Sequence, residues 1–164
     1  MKRKIILIVF AIIVFGVVNG LIAHKEHLLG TGTTVLLKLA PVDPRSLIQG
    51  DYMVLAYTLA RGPAEKAIPK EKPSGKLVIR LDENGVGQFV DVYKGYPHKP
   101  DDILLKYRCR GGIRLGAESF FFQEGHARYY ENAKYGELKV APSGESVLVC
   151  LRDEDFKRLG PPPQ

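Results

Sequence analysis

An uninterrupted apolar run near the start of the chain limits how the rest of it can fold. Residues 5–23, IILIVFAIIVFGVVNGLIA, contain no charged side chain and one polar side chain, Asn19. A helix over these 19 residues is about 28 Å long at ~1.5 Å per residue, close to the hydrocarbon thickness of a bilayer. We therefore predict a membrane anchor over residues 5–23, in contact with the lipid bilayer, and a separate domain after it.

The charges beside this run predict its orientation. Lys2, Arg3 and Lys4 precede it, and the positive-inside rule places such residues in the cytoplasm. Everything after the anchor then lies on the extracytoplasmic side of the inner (cytoplasmic) membrane, and the chain crosses that membrane once. The competing interpretation is a signal peptide that is cleaved near residues 18–20. The length of the apolar run favours the uncleaved anchor.

Charges in the rest of the chain are nearly balanced. The 164 residues carry a net charge of +6, but three of the 24 basic residues precede the apolar run. The remaining 21 basic residues stand against 18 acidic ones. Such a mixed surface lacks the basic stripe of nucleic-acid-binding proteins, so we expect no nucleic-acid partner. The length predicts one domain, residues 24–160, with a proline-rich tail at residues 161–164.

Short alternating segments between glycine and proline turns predict a mainly β domain. Asn84 and Gly85 supply the positive φ angles of a tight hairpin, and residues 142–145, Pro-Ser-Gly-Glu, are a second hairpin signal. The predicted strands cover residues 33–42, 51–60, 76–82, 86–94, 103–110, 113–123, 136–141 and 146–153. This pattern is typical of an antiparallel sandwich or a partly open barrel.

One segment has helical spacing instead. Ala127, Tyr130 and Ala133 recur every three residues within residues 124–136. Glu124 stands four residues before Arg128, the order that favours an ion pair on a helix. Gly136 is a natural C-terminal cap. We predict one short helix here.

The two cysteines leave two interpretations open. Cys109 and Cys150 each lie in a predicted strand. An extracytoplasmic compartment can oxidise them to a disulfide. Two buried free thiols are an equal alternative, because free cysteine is commonly a core residue.

The first candidate site surrounds residues 49–57, QGDYMVLAY. Gly50 and Asp51 predict a tight turn before a strand that is apolar on both faces, which is typical of the middle of a sheet. Turn chemistry and packing account for these residue types, and we favour that interpretation. The alternative is a binding site whose rim consists of Asp43, Arg45, Asp51 and Tyr52.

The second candidate site surrounds Glu118, which shares a predicted strand face with Phe120 and Phe122. A carboxylate among aromatic rings must be paired or bear a large desolvation penalty. Arg108, Arg110 and Arg114 lie close in sequence, and one interpretation is an ion pair between Glu118 and one of them that sets the strand register. The other is a small-ligand or hydrolytic site. Its candidate residues are Arg114, Glu118, Glu124 and Arg128.

Nothing in the sequence predicts a metal site, a cofactor or a complete catalytic set. The four histidines have no zinc-site spacing, and there is no phosphate-binding loop or dinucleotide fingerprint. An activated nucleophile would also need a hydroxyl beside a base. We expect a protein that is not an enzyme.

Three stretches together resemble a known family. GDYMVLAY at residues 50–57 matches the signature G-D-Y-x-x-L-x-Y of the GDYXXLXY family, and DPRSLIQ at residues 43–49 resembles its lead-in. GAESFFFQEGHARYYE at residues 116–131 is similar to its second motif, in which Gln123 replaces a proline and Ala127 a glycine. The resemblance covers nearly the whole chain.

The resemblance implies a membrane-anchored bacterial protein without an assigned activity. Such proteins are often encoded beside multi-spanning membrane proteins. We therefore expect an accessory or interaction domain of the bacterial envelope, with a membrane protein as its partner. The alternative function is a small-ligand-binding or hydrolytic domain that uses residues 118–124.

Overall fold

The computed structural model describes residues 2–41, 48–49, 52–69, 72–95 and 99–162. A long helix, α1, spans Lys2–Thr31. Its segment Arg3–Thr31 is long and apolar enough to cross a membrane, and an 18-residue window within it has a mean hydropathy of 3.0. The large apolar side chains of residues 5–22 are exposed in the isolated chain, as expected of a helix whose surroundings are lipid.

Helix α1 continues beyond the predicted anchor at residues 5–23 and ends inside the domain. Leu28, in its last turns, is buried. The Gly32 N–H closes the helix on the Leu28 carbonyl at 2.8 Å, and the Thr31 hydroxyl donates to the His27 carbonyl at 2.8 Å. The apolar helix therefore passes directly into the fold without a linker.

Ten strands and one short helix make up the described part of the domain after α1. The elements are β1 (Thr33–Lys38), β2 (Ile48–Gln49), β3 (Tyr52–Val54), α2 (Pro63–Ala67), β4 (Ser74–Leu81), β5 (Gly87–Val92), β6 (Asp102–Cys109), β7 (Ile113–Arg114), β8 (Ser119–Phe121), a 3₁₀ turn (Ala127–Tyr130), β9 (Tyr135–Val140) and β10 (Ser146–Arg152).

The strands form three antiparallel sheets. Their orders are β1-β9-β10, β2-β3-β8 and β5-β4-β6-β7, and within the described residues they do not close into a barrel. The prediction of a mainly β, antiparallel domain with one short helix behind an apolar helix is confirmed. Both predicted hairpins are present, and Gly85 has the positive φ, 77°, that its turn requires.

Alternating side chains of the first and third sheets build the core between them. Along β6, for example, positions 105 and 107 are buried while 106 and 108 are exposed, which is the period of a strand with one face packed. The most deeply buried side chains of these sheets are Val35, Leu37, Leu77, Ile79, Leu105, Tyr107, Leu138, Val140 and Leu151.

The helix predicted at residues 124–136 is wrong. Only a 3₁₀ turn, Ala127–Tyr130, forms there, and β9 begins at Tyr135. The Tyr130 ring packs edge-on against Phe120, with ring centroids 4.9 Å apart, and pairing with β1 and β10 extends the chain from Tyr135 onward. Tertiary contacts thus override the local helical spacing. The short α-helix is α2, in the segment between the predicted strands 51–60 and 76–82.

Residues 52–57 were predicted to be apolar on both faces, and this is also corrected. Met53, Leu55 and Tyr57 are buried, whereas Val54 is 42% exposed. Strand β3 lies between β2 and β8 in a small sheet with one outward face. Only residues 52–54 form a strand, because the chain then leaves the sheet toward Tyr57.

Two segments more than sixty residues apart in sequence are joined along β3 and β8. Tyr52 pairs with Phe121 and Val54 with Ser119, and the Leu55 N–H donates to the Glu118 carbonyl at 2.7 Å. Beyond the strands, the Tyr57 hydroxyl donates to the Ala117 carbonyl at 2.5 Å. Main-chain and side-chain hydrogen bonds therefore hold residues 52–57 against residues 117–121.

The Tyr57 hydroxyl is suited to this contact at any physiological pH. Tyr57 is 1% exposed. Burial, and after it the nearby negative charge of Glu118, raise the pKa of the phenol. The group stays protonated and therefore stays a donor.

We predict that Tyr57→Phe lowers the free energy of unfolding by about 1–3 kcal/mol, because it leaves the buried Ala117 carbonyl without its donor. Denaturant unfolding of the full chain in neutral detergent measures the loss. Tyr129→Phe is the matched control, since its hydroxyl contacts only Arg128 at the surface among the described hydrogen bonds. Equal losses in the two variants would contradict the importance of the buried bond.

Candidate binding cleft

A cleft of about 670 Å³ opens beside the third sheet. Its walls come from β4, β6 and β7, from the turn between β9 and β10, and from the end of α1. We call it the basic cleft, because six basic and two acidic side chains line it. The basic residues are Lys25, Lys76, Lys106, Arg108, Arg110 and Arg114.

Strand register brings four of these basic side chains together in pairs. Lys76 of β4 lies directly opposite Lys106 of β6, and Arg108 of β6 lies directly opposite Arg114 of β7. Residues opposite each other in an antiparallel pair project from the same face of the sheet, and like charges there destabilise the pairing. The fold therefore maintains an electrostatic repulsion at this surface.

The local sequence explains how the arginines reach one place. Strand β6 turns its apolar side chains, such as Leu105, toward the core and leaves Lys106 and Arg108 outside. A turn at Gly111 and Gly112 then reverses the chain into β7. The reversal returns Arg114 to the position opposite Arg108.

The two acidic residues of the basic cleft are both engaged elsewhere. Glu145, in the turn between β9 and β10, accepts hydrogen bonds from Lys25 at 2.5 Å and from His24 at 3.0 Å. These bonds, with that from Lys25 first, lower the Glu145 pKa to about 2. The contact also ties the end of α1 to the domain.

Glu118 is the second acidic residue, and its carboxylate caps a turn. Its oxygens accept hydrogen bonds from the main-chain N–H groups of Leu115 and Gly116. The predicted pairing of Glu118 with an arginine is not found among the described ion pairs. Main-chain N–H groups hydrogen-bond the half-buried Glu118 carboxylate instead, so it is not an ion-pair partner of the neighbouring arginines among the described contacts.

Tyr107 adds an unusual group to the wall of the cleft. The side chain is 2% exposed, and within the described residues its hydroxyl has no hydrogen-bond partner. Burial raises the pKa of this phenol, so it stays a donor. Gly75 leaves space beside it, since a Cβ at that position would lie 2.8 Å from the hydroxyl oxygen. Buried donors without acceptors are rare and call for an explanation.

The structure brings together only some of the predicted site residues. Arg114 and Glu118 line the basic cleft. Glu124 and Arg128 are exposed and do not line it; Arg128 stacks on the Tyr129 ring, 5.0 Å from its centroid, rather than forming the predicted ion pair. Tyr52 lies on the outer face of the second sheet, against Phe121.

Three predicted residues of the first candidate site, Asp43, Arg45 and Asp51, lie outside the described residues. Their proposed role as a binding rim therefore stays a prediction.

Sequence reasoning missed three lysines of the cleft and gave Arg108 and Arg110 a different role. Lys106, Arg108 and Arg110 alternate along one predicted strand, which was a signal for a basic face. Lys76 and Lys25 carry no such signal, because strand pairing and the course of α1 bring them to the cleft.

The cysteines are free thiols in the structure. Cys109 belongs to β6 in the third sheet and Cys150 to β10 in the first sheet. The Cys150 thiol donates to the Glu137 carboxylate at 3.4 Å. The disulfide that the sequence left open is therefore not formed here. The described residues contain no cluster of side chains suited to a metal ion.

Comparison with known families decides the relationship of the chain. The family model of the GDYXXLXY protein matches residues 14–151, which is most of the sequence. The chain belongs to the GDYXXLXY family. Comparison with curated proteins and with solved structures found no match. In this GDYXXLXY protein, the signature residues Leu55 and Tyr57 contact the second motif through the hydrogen bonds described above.

We predict that Tyr107→Phe raises the free energy of unfolding, by up to about 1–3 kcal/mol, because it removes a buried donor that has no acceptor among the described residues. Denaturant unfolding in neutral detergent, without added anions, measures the change. Tyr57→Phe serves as the control with the opposite sign. A loss on Tyr107→Phe as large as that on Tyr57→Phe would mean that the hydroxyl has a partner.

The Glu145 contact predicts a pH dependence of stability. The pKa of Glu145 in the folded chain, about 2, lies below the ordinary value of 4.5. The contribution of its contacts to the free energy of unfolding is therefore complete above pH 4.5 and is lost as the pH falls toward 2. We expect the difference in melting temperature between the native chain and Glu145→Gln to shrink over this range. A difference that stays constant from pH 6 to about 2 would contradict the contact.

Proposed function

We propose that this GDYXXLXY protein is a membrane-anchored extracytoplasmic accessory domain that partners another membrane protein of the bacterial envelope. The observation that carries the proposal is the continuity of α1 with the domain. The same helix is apolar over residues 5–23 and is buried in the fold at Leu28. A domain attached in this way has a fixed face toward the membrane.

The distance between domain and membrane supports the choice of partner. Residues 24–31 of α1 extend about 12 Å at ~1.5 Å per residue, and the Glu145 contacts with His24 and Lys25 lie at the membrane end of this segment. The domain therefore stays close to the bilayer surface. Integral membrane proteins are the partners that such a position reaches most readily.

An exposed apolar patch on the second sheet offers a contact surface for that partner. Phe121 is 73% exposed and its ring lies against Tyr52, with centroids 5.8 Å apart. Val54, on the same face, is also exposed. Exposed aromatic and aliphatic side chains in one patch are typical of protein contacts, and the tether favours a membrane protein as the occupant.

The hydrolytic alternative has no support from the geometry of the described residues. Glu118 is held by two main-chain N–H groups, and Glu124 does not line the cleft that Glu118 lines. Two carboxylates acting on one bond would have to lie beside the same cavity.

A site-specific crosslinking experiment tests the accessory role. A photoreactive phenylalanine analogue replaces Phe121 in the full chain in living cells, and the same analogue at Val90, 43% exposed on β5 of another sheet, is the control. We expect a covalent adduct with one integral membrane protein from position 121 and none from position 90.

A second variant removes the patch without inserting a reactive group. We expect Phe121→Ser to abolish copurification of that membrane protein while the melting temperature is unchanged, because Phe121 is exposed. An adduct between two copies of this chain, no adduct, or the same adducts at both positions would contradict the proposal.

A further inference from the structure

We propose that the basic cleft binds a phosphate-bearing anion, held by Arg108, Arg110 and Arg114 together with Lys76 and Lys106. The phosphate comes from the headgroup of an anionic phospholipid or from a soluble phosphate compound; both present the same chemistry. This function is separate from the accessory role and does not depend on the identity of a protein partner.

Charge is the first argument. Lys76 opposite Lys106 and Arg108 opposite Arg114 repel each other across paired strands. The described ion pairs include none of these four side chains. An anion placed between the pairs converts the repulsion into attraction.

Phosphate suits these groups in geometry as well as in charge. A guanidinium group presents a planar fork of donors that matches two oxygens of one phosphate. Three arginines around one cleft can bind several phosphate oxygens at once. Among the described hydrogen bonds, neither acidic side chain of the cleft accepts from these arginines. The six basic side chains of the lining still outnumber the two acidic ones.

The shape of the cleft favours a small anion over a nucleic acid. Its volume, about 670 Å³, lies within the range of small-ligand pockets, roughly 300–1,000 Å³. The aromatic residue in its lining, Tyr107, is buried and offers no ring face on which a base could stack.

The position of the cleft relates it to the membrane surface. Lys25, which lines it, stands two residues after Ala23, the last apolar residue of the anchor run. Two residues of helix advance about 3 Å. One wall of the cleft therefore lies at the depth of the phospholipid phosphates. A lipid headgroup is for this reason one of the two ligands that we propose for the cleft.

The experiment uses the full chain in neutral detergent micelles and two probes. Inorganic pyrophosphate, compared with sodium chloride at equal ionic strength, represents the soluble source and is followed by calorimetric titration. Phosphatidylglycerol, compared with phosphatidylcholine, represents the lipid source and is followed by native mass spectrometry. Equal ionic strength is required because salt screens exposed charges within ~10 Å.

The test variant is the double substitution Arg108→Gln with Arg114→Gln. Its matched control is Arg128→Gln with Arg158→Gln, which removes the same charge from two exposed arginines outside the cleft lining. We expect the test variant to bind on the order of a hundredfold more weakly, since a charge-assisted hydrogen bond from each arginine contributes roughly tenfold. The control should bind as the native chain does.

The outcomes separate the sources and can overturn the proposal. Binding of pyrophosphate alone assigns a soluble ligand, and selective binding of phosphatidylglycerol alone assigns a headgroup; either supports the site when the test variant loses it. No binding of either probe, or equal loss in the control, overturns the proposal. Without ligand at low salt, the melting temperature of the test variant should equal or exceed that of the native chain; a clear fall would make the arginines structural.

Discussion

The contact between residues 52–57 and residues 117–121 is the constraint from which much of the functional surface follows. The Tyr57 hydroxyl and the Leu55 N–H bind two successive carbonyl groups, those of Ala117 and Glu118. Once these carbonyls are held, the turn before them is held too, because the Glu118 carboxylate caps it. The turn follows directly on Arg114, so a packing contact of the core also positions a wall of the basic cleft.

The second constraint is the rigid connection between the apolar helix and the domain. Burial of Leu28 and the contacts of Glu145 with His24 and Lys25 act on the same few turns of α1. The exposed ion pairs alone would contribute little, whereas burial of a leucine contributes about 1.5–3 kcal/mol. The hydrophobic contact of Leu28 therefore contributes more to the stability of the junction between α1 and the domain than the charged contacts do.

Features that depend on neighbouring residues could be predicted from the sequence, and features that depend on register could not. The long apolar helix needs only a run of apolar residues, and the hairpin at Gly85 needs only a turn with positive φ. The segment around Tyr130 shows the limit, since its spacing favoured a helix while contact with Phe120 and pairing of β9 imposed another course.

The basic cleft could not be predicted from the sequence, for the same reason. Lys76 and Lys106 are thirty residues apart in sequence, and the residues that flank either lysine do not predict that the two lie opposite each other. They meet because β4 and β6 pair in one particular register. A shift by one residue would turn Lys106 toward the core, so the buried alternation of β6 selects the register, and the register then selects which charges face each other.

The register also bears on why the charged side chains of the basic cleft lie where they do. Hydrophobic burial explains the register, but it leaves the outward positions of β6 and β7 free to carry any polar side chain. Glutamate opposite Arg108 would have stabilised the strand pairing, whereas Arg114 opposes it. A surface that gives up stability at paired positions is consistent with the binding of something that is not part of the chain. An anion between these paired side chains supplies the missing negative charge.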